Sequence, residues 1–163
     1  MQIKRKISVF LIINVTILLF GMQKIFSQDY YNYLEVTGSI PTFNLNTVAE
    51  LETEQIQQNA FTITAKSRYD NFYVYASIYS YYSSNGSVLP SNVLAFKLRT
   101  ISPYRAANYN KMYITGGNQL IISSTRTSTS TVTYTYDMHI GPIGFDVLPG
   151  SFNATILFTM TQP

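Results

Sequence analysis

The sequence predicts an all-β protein, an antiparallel β-sandwich of about seven to nine strands. Three observations carry this expectation. Apolar and polar residues alternate with period two along much of the chain. Tyr, Thr, Val, Ile and Phe, which suit a pleated and half-buried surface, are abundant. Turn signals recur between the alternating runs, at SSNGS (83–87), TGGN (115–118) and GPIGFDVLPG (141–150).

The elements follow in chain order. YLEVTGS near 33–39 and PTFNL near 41–45 read as short strands. TVAELETEQIQQNA at 47–60 uses helix formers, and as a strand it would align Glu50, Glu52 and Glu54 on one repelling face. A short helix or an irregular crossover is expected there. In AFTITAK, Phe61, Ile63 and Ala65 alternate with Thr62 and Thr64. In NFYVYASIYS, Phe72, Val74, Ala76 and Ile78 form a core face opposite Tyr73, Tyr75, Ser77 and Tyr79. NVLAFKLRT (92–100), KMYIT (111–115) and NQLIISS (118–124) are further candidates. STVTYTYDMHI sets Val132, Tyr134, Tyr136, Met138 and Ile140 inward, with Asp137 and His139 on the solvated side. NATILFTMT sets Ala154, Ile156, Phe158 and Met160 inward. A slip of one residue would turn each apolar face outward, so register is strongly specified.

Residues 1–27 have the form of a secretory signal. Lys4, Arg5 and Lys6 precede an apolar run from Ile7 to Phe20, and small Ser27 precedes Gln28, which places cleavage between Ser27 and Gln28. The run is short for a membrane span and Asn14 and Thr16 interrupt it, so no stable span is expected after processing. The whole chain has 163 residues and charge +3, but Lys4, Arg5, Lys6 and Lys24 belong to the leader. Residues 28–163 carry seven basic against eight acidic side chains, a net −1. The basic character therefore speaks of export and not of nucleic-acid binding. A single domain over 28–163 is expected, exported to the periplasm, the outer cell surface or the medium.

Composition also bounds the chemistry. The chain has no cysteine, which removes disulfide scaffolds, iron–sulfur centres and cysteine nucleophiles. Apolar burial alone can account for folding, so no metal or cofactor is called for. His139 is the only histidine, and with Asp137 it offers at most a weak catalytic pair or two metal ligands, with Asp146 of the next loop as a third candidate ligand; a solvated strand face is the simpler reading. Glu50, Glu52 and Glu54 lack the spacing of a calcium loop. No nucleophile elbow or phosphate-binding glycine motif is present.

Tyrosine is the distinctive content. All fourteen tyrosines lie beyond residue 28. Tyr73, Tyr75 and Tyr79 make a stripe; Tyr81 and Tyr82 run into the SSNGS turn; Tyr104 and Tyr109 flank a loop with Arg105. A flat apolar ring with a wet hydroxyl suits stacking on sugars or protein contact, and equally suits cross-strand packing. Tyr81, Tyr82, Tyr104 and Tyr109 are the candidate binding aromatics.

AFTITAKSRYDNFYVYASI, SNVLAFKLRT and the closing DVLPGSFNATILFTMT together resemble secreted bacterial pilin-like domains and the spore coat U and fimbrial-subunit group. The chain departs from those families in lacking their cysteine pair, and from related wall-binding domains in lacking tryptophan. The resemblance implies an immunoglobulin-like sandwich at the cell surface, in a filament or adhesive layer, and it transfers no site residues. The expected function is an exported structural or adhesive protein, not an enzyme, with other subunits or surface glycans as partners. A small carbohydrate-binding module is the alternative, and a hydrolase the third reading. QDYYNYLEVTGSI suits either the first strand of its own sheet or a strand exchanged with a neighbouring subunit in a homo-oligomer.

Overall fold

The alternating segments become strands, and the strands stack as two sheets. The structure, a computed structural model, describes residues 32–38, 43, 47–84, 86, 90–144 and 152–163. The expected leader, the expected cleavage site at Ser27 and Gln28, most of the 41–45 segment and Asp146 lie outside the described residues. The elements are β1 (Asn32–Gly38), α1 (Val48–Glu52), β2 (Gln55–Ser67), β3 (Phe72–Ser83), β4 (Leu94–Ser102), β5 (Met112–Tyr113), β6 (Gln119–Ser124), β7 (Val132–Ile140) and β8 (Phe152–Thr161). One sheet has five strands in the order β1-β2-β7-β4-β5, and the other has three in the order β6-β3-β8. The expected all-β sandwich is the observed architecture.

The core lies between the sheets. The five-stranded sheet contributes Phe61, Ile63 and Ala65 from β2, Phe96 and Leu98 from β4, and Val132, Tyr134 and Tyr136 from β7. The three-stranded sheet contributes Phe72, Val74 and Ala76 from β3 and Ile121 and Ile122 from β6. Phe61 stacks on its cross-strand partner Tyr136 at 5.2 Å and meets Phe96 edge-on at 4.8 Å. Phe158 of β8 reaches the same group from the opposite sheet, 5.5 Å from Phe61 and 6.2 Å from Phe96. Such aromatic pairs add about 0.5–1.5 kcal/mol beyond their buried area. The Tyr136 hydroxyl crosses the core to donate to the Ile121 carbonyl of β6 at 3.0 Å.

The 47–60 segment divides. Thr47 caps α1 in a capping box: its hydroxyl accepts from the Glu50 N–H, and the Glu50 carboxylate accepts from the Thr47 N–H at 2.9 Å. The helix ends after one turn, and β2 begins at Gln55, earlier than the alternation at 60–66 suggests. β2 carries a bulge between Gln57 and Phe61, where Asn59 takes a left-handed φ of 51°. Asparagine tolerates that conformation better than most residues. The bulge absorbs residues 58–60, which hides them from a period-two reading.

Two close contacts seal the edges of this frame. At Gly38, an added Cβ would lie 2.6 Å from the Ala60 carbonyl oxygen, so glycine lets β1 lie against β2. Buried Ser67 closes one end: its N–H donates to Thr127 Oγ1 at 2.9 Å, its carbonyl accepts from the Thr127 N–H at 2.7 Å, and its hydroxyl accepts from Gln162 at 2.7 Å.

Candidate functional site

The outer face of the three-stranded sheet is built from the residues of β3 that the core does not use. Tyr73 sits between Ser123 of β6 and Thr161 of β8, and Tyr75 between Leu120 and Thr159. Ser77 stands opposite Leu157. β3 then bulges between Ile78 and Ser80, and beyond the bulge Tyr82 faces Asn153. Tyr73 and Tyr75 are half-buried, while Tyr79 and Tyr82 are exposed. Leu120 and Leu157 flank this row and keep 44% and 47% of their surface in contact with solvent. The stripe foreseen at Tyr73, Tyr75 and Tyr79 is thus an open face among the described residues, and the two leucines enlarge it. Leu157 falls on the threonine side of its strand, and Leu120 lies next to a bulge, so neither announces itself by alternation.

Charge is distributed unevenly between the sheets. β3, β6 and β8 contain no Asp, Glu, Lys, Arg or His. The five-stranded sheet carries Glu35, Lys66, Lys97, Arg99, Asp137 and His139. An uncharged sheet face with exposed rings and leucines favours contact over hydration.

The four candidate binding aromatics do not form one platform. Tyr82 lies at the end of β3, near the start of β8, and is exposed. Tyr104 follows β4, at the end where β3 begins, because Ser102 pairs with Thr133 at the start of β7. Antiparallel pairing therefore puts Tyr82 and Tyr104 at opposite ends of the sandwich. Tyr109 lies in the loop that returns to β5 and is also exposed. The Tyr81 side chain lies outside the description. Beside Tyr104, which is 83% exposed, Arg105 is occupied: it donates to the Thr125 carbonyl at 2.9 Å and the Thr125 hydroxyl at 3.0 Å.

His139 departs from the sequence reading. It points away from the core as expected, yet it is only 5% exposed and not solvated. Its Nδ1 lies 3.3 Å from Glu54 Oε1, and neither ring nitrogen has a hydrogen-bond partner with proper direction. The cover comes from the segment after α1. The Leu51 carbonyl accepts from the Ile143 and Gly144 N–H groups, which holds that segment against the chain leaving β7 and brings Glu54 over the ring. Lys111 donates to the same Glu54 oxygen at 2.6 Å. That bond holds the Glu54 carboxyl below its ordinary pKa and the Lys111 ammonium above its own.

Asp137 is separately engaged. It accepts from the Asn59 N–H at 2.8 Å and pairs with Arg99 at 3.2 Å, so it orders the β2 bulge and not the imidazole. Among the described residues no three His, Asp or Glu side chains come together as a metal site. No described helix is long and apolar enough to cross a membrane. Comparison with family models, with curated proteins and with solved structures found no match.

Proposed function

We propose that this chain is an exported structural or adhesive protein that works by surface contact, through the outer face of its three-stranded sheet. The observation that carries this reading is the coincidence of exposed Tyr79, Tyr82, Leu120 and Leu157 on three strands with no charged residue. Tyrosine and leucine give such a face apolar area at low entropic cost, and the phenol hydroxyls keep it wettable when unoccupied. The form of residues 1–27 supports export, and the likeness to fimbrial subunits suggests other subunits as partners.

Two measurements test the reading. Expression in a bacterial host followed by fractionation and intact-mass analysis should recover an exported species beginning at Gln28. Cytosolic protein that retains residues 1–27 would remove the export half of the proposal. Binding is then measured to immobilised copies of the protein and to a glycan array. Tyr79→Ser with Tyr82→Ser should weaken capture about tenfold while leaving the melting temperature unchanged, since both rings are exposed. Wild-type capture by that variant would reject the sheet face as the contact. The carbohydrate-binding alternative draws on Tyr104, the most exposed of the large apolar side chains described. Glycan capture that is lost on Tyr104→Ala and kept in the Tyr79, Tyr82 variant would favour it.

A further inference from the structure

Among the described strands, three of the four sheet edges are guarded. β1 carries Glu35. β5 is two residues long and follows Lys111. β6 is six residues long and bulged, since Val74 and Tyr75 of β3 pair with Ile122 and Leu120, leaving Ile121 as the extra residue. β8 is ten residues long and contains no charge and no proline. The extra residue at its junction with β3 belongs to β3, so β8 itself stays regular. Charges, prolines, bulges and shortness are the usual means by which edges avoid pairing with another chain, and β8 has none of them. Among the described residues no strand covers its outer edge.

The core side of β8 is also left open. Ile156, Phe158 and Met160 pack against the core but stay half-buried, whereas Phe72, Val74 and Ala76 on neighbouring β3 are fully buried. A further strand beside β8 would complete that burial.

We propose that the outer edge of β8 pairs antiparallel with β8 of a second copy of this chain, joining two three-stranded sheets into one continuous sheet across a twofold axis. A second copy fits for three reasons. The edge is neutral, so an identical edge meets no like-charge repulsion. An isologous contact needs a self-complementary strand, and β8 is one. Side chains directly opposite each other must share a face, and a register centred on Leu157 satisfies this. Leu157 then meets its own copy on the outer face, with Thr155 opposite Thr159 and Asn153 opposite Thr161. On the core side Ile156 meets Phe158 and Ala154 meets Met160. Antiparallel pairing over this length supplies about ten main-chain hydrogen bonds across both strands, as many as a typical specific interface carries.

This pairing extends the contact role proposed above and fails separately from it. Sedimentation equilibrium of the purified protein over a concentration series should show a reversible dimer. Leu157→Lys, at an outward position, should weaken dimerisation at least about tenfold by setting two ammonium groups together at the axis. Thr155→Lys with Thr159→Lys should do the same, and Thr155→Glu with Thr159→Lys should dimerise, because the register sets unlike charges opposite each other. Circular dichroism and thermal melting establish that each variant is folded, and Leu157→Thr, with no added charge, replaces Leu157→Lys if the latter does not fold. A wild type that stays monomeric at every concentration would overturn the proposal. So would a dimer indifferent to these lysines, or a Glu/Lys variant as monomeric as the Lys/Lys one. A monomer that still loses capture on Tyr79→Ser with Tyr82→Ser would sink this pairing and leave the contact role standing.

Discussion

The hydroxyl of Tyr136 on β7 donates to the carbonyl of Ile121 on β6 at 3.0 Å, a polar bond that spans the core from one sheet to the other. The acceptor belongs to the extra residue of the β6 bulge, since Ile121 is left without a partner on β3. Burial pushes the Tyr136 phenol well above its ordinary pKa. Tyr136→Phe should cost about 1–2 kcal/mol, because it removes the bond and strands a buried acceptor. Urea unfolding reads this directly.

The same phenol gives a pH signature. Its folded pKa is raised, so its stabilising contribution is complete below the ordinary value of 10.0 and is lost as pH rises above it. Stability of the wild type should therefore fall above pH 10, and Tyr136→Phe should flatten that alkaline limb. An unchanged alkaline slope in the variant would show that other groups govern it.

Asp137 performs two tasks that substitution can separate. Asp137→Asn keeps an acceptor for the Asn59 N–H and loses the ion pair with Arg99, whose side chain is 33% exposed, so it should cost about 0.5 kcal/mol. Asp137→Ala also strands the N–H of the bulge and should cost about 2 kcal/mol. Equal losses in the two variants would contradict the role assigned to the bulge.

Glu54 and Lys111 make a pair limited at both ends of the pH scale. The depressed carboxyl contributes stability that is present above 4.5 and lost as pH falls through its folded value. The raised ammonium contributes stability that is present below 10.5 and lost as pH rises through its folded value. Glu54→Gln should cost about 0.5–1 kcal/mol at neutral pH, since both side chains are about one-third exposed, with the cost shrinking in acid. Chemical denaturation at pH 3 and pH 7 compares the two.

Gly38→Ala tests how β1 is held. The added Cβ meets backbone, which does not yield, so β1 must lift from β2 at a cost of about 1–3 kcal/mol. Hydrogen exchange should speed up across residues 32–38 and along the facing edge of β2, with the rest of the protein unchanged. Full protection of residues 32–38 in the variant would be incompatible with that contact.

Alternation made most of this fold legible. Phe61, Ile63 and Ala65, or Val132, Tyr134 and Tyr136, are buried as a period-two pattern requires. What escaped depends on contacts between distant segments. His139 lies on the outward side of β7, as its position in the alternation says, and only the Leu51 carbonyl binding Ile143 and Gly144 explains why Glu54 covers it. The bulge at 58–60 breaks periodicity, so the start of β2 could not be read from pattern. The opposite placement of Tyr82 and Tyr104 follows from the antiparallel pairing of β4 with β7, which no local pattern contains. The exposed tyrosines of β3 were visible as a stripe, but their company of Leu120 and Leu157 needed the register.

The confinement of Asp, Glu, Lys, Arg and His to one of the two sheets also bears on how the proposed contact responds to its surroundings. A contact made by β3, β6 and β8 involves no Asp, Glu, His, Lys or Arg side chain of those strands. Salt has no fixed charge to screen there, and added kosmotropes would tighten the contact. Acidification would therefore act on the five-stranded layer, and a contact made by the other layer would have no charge to gain or lose.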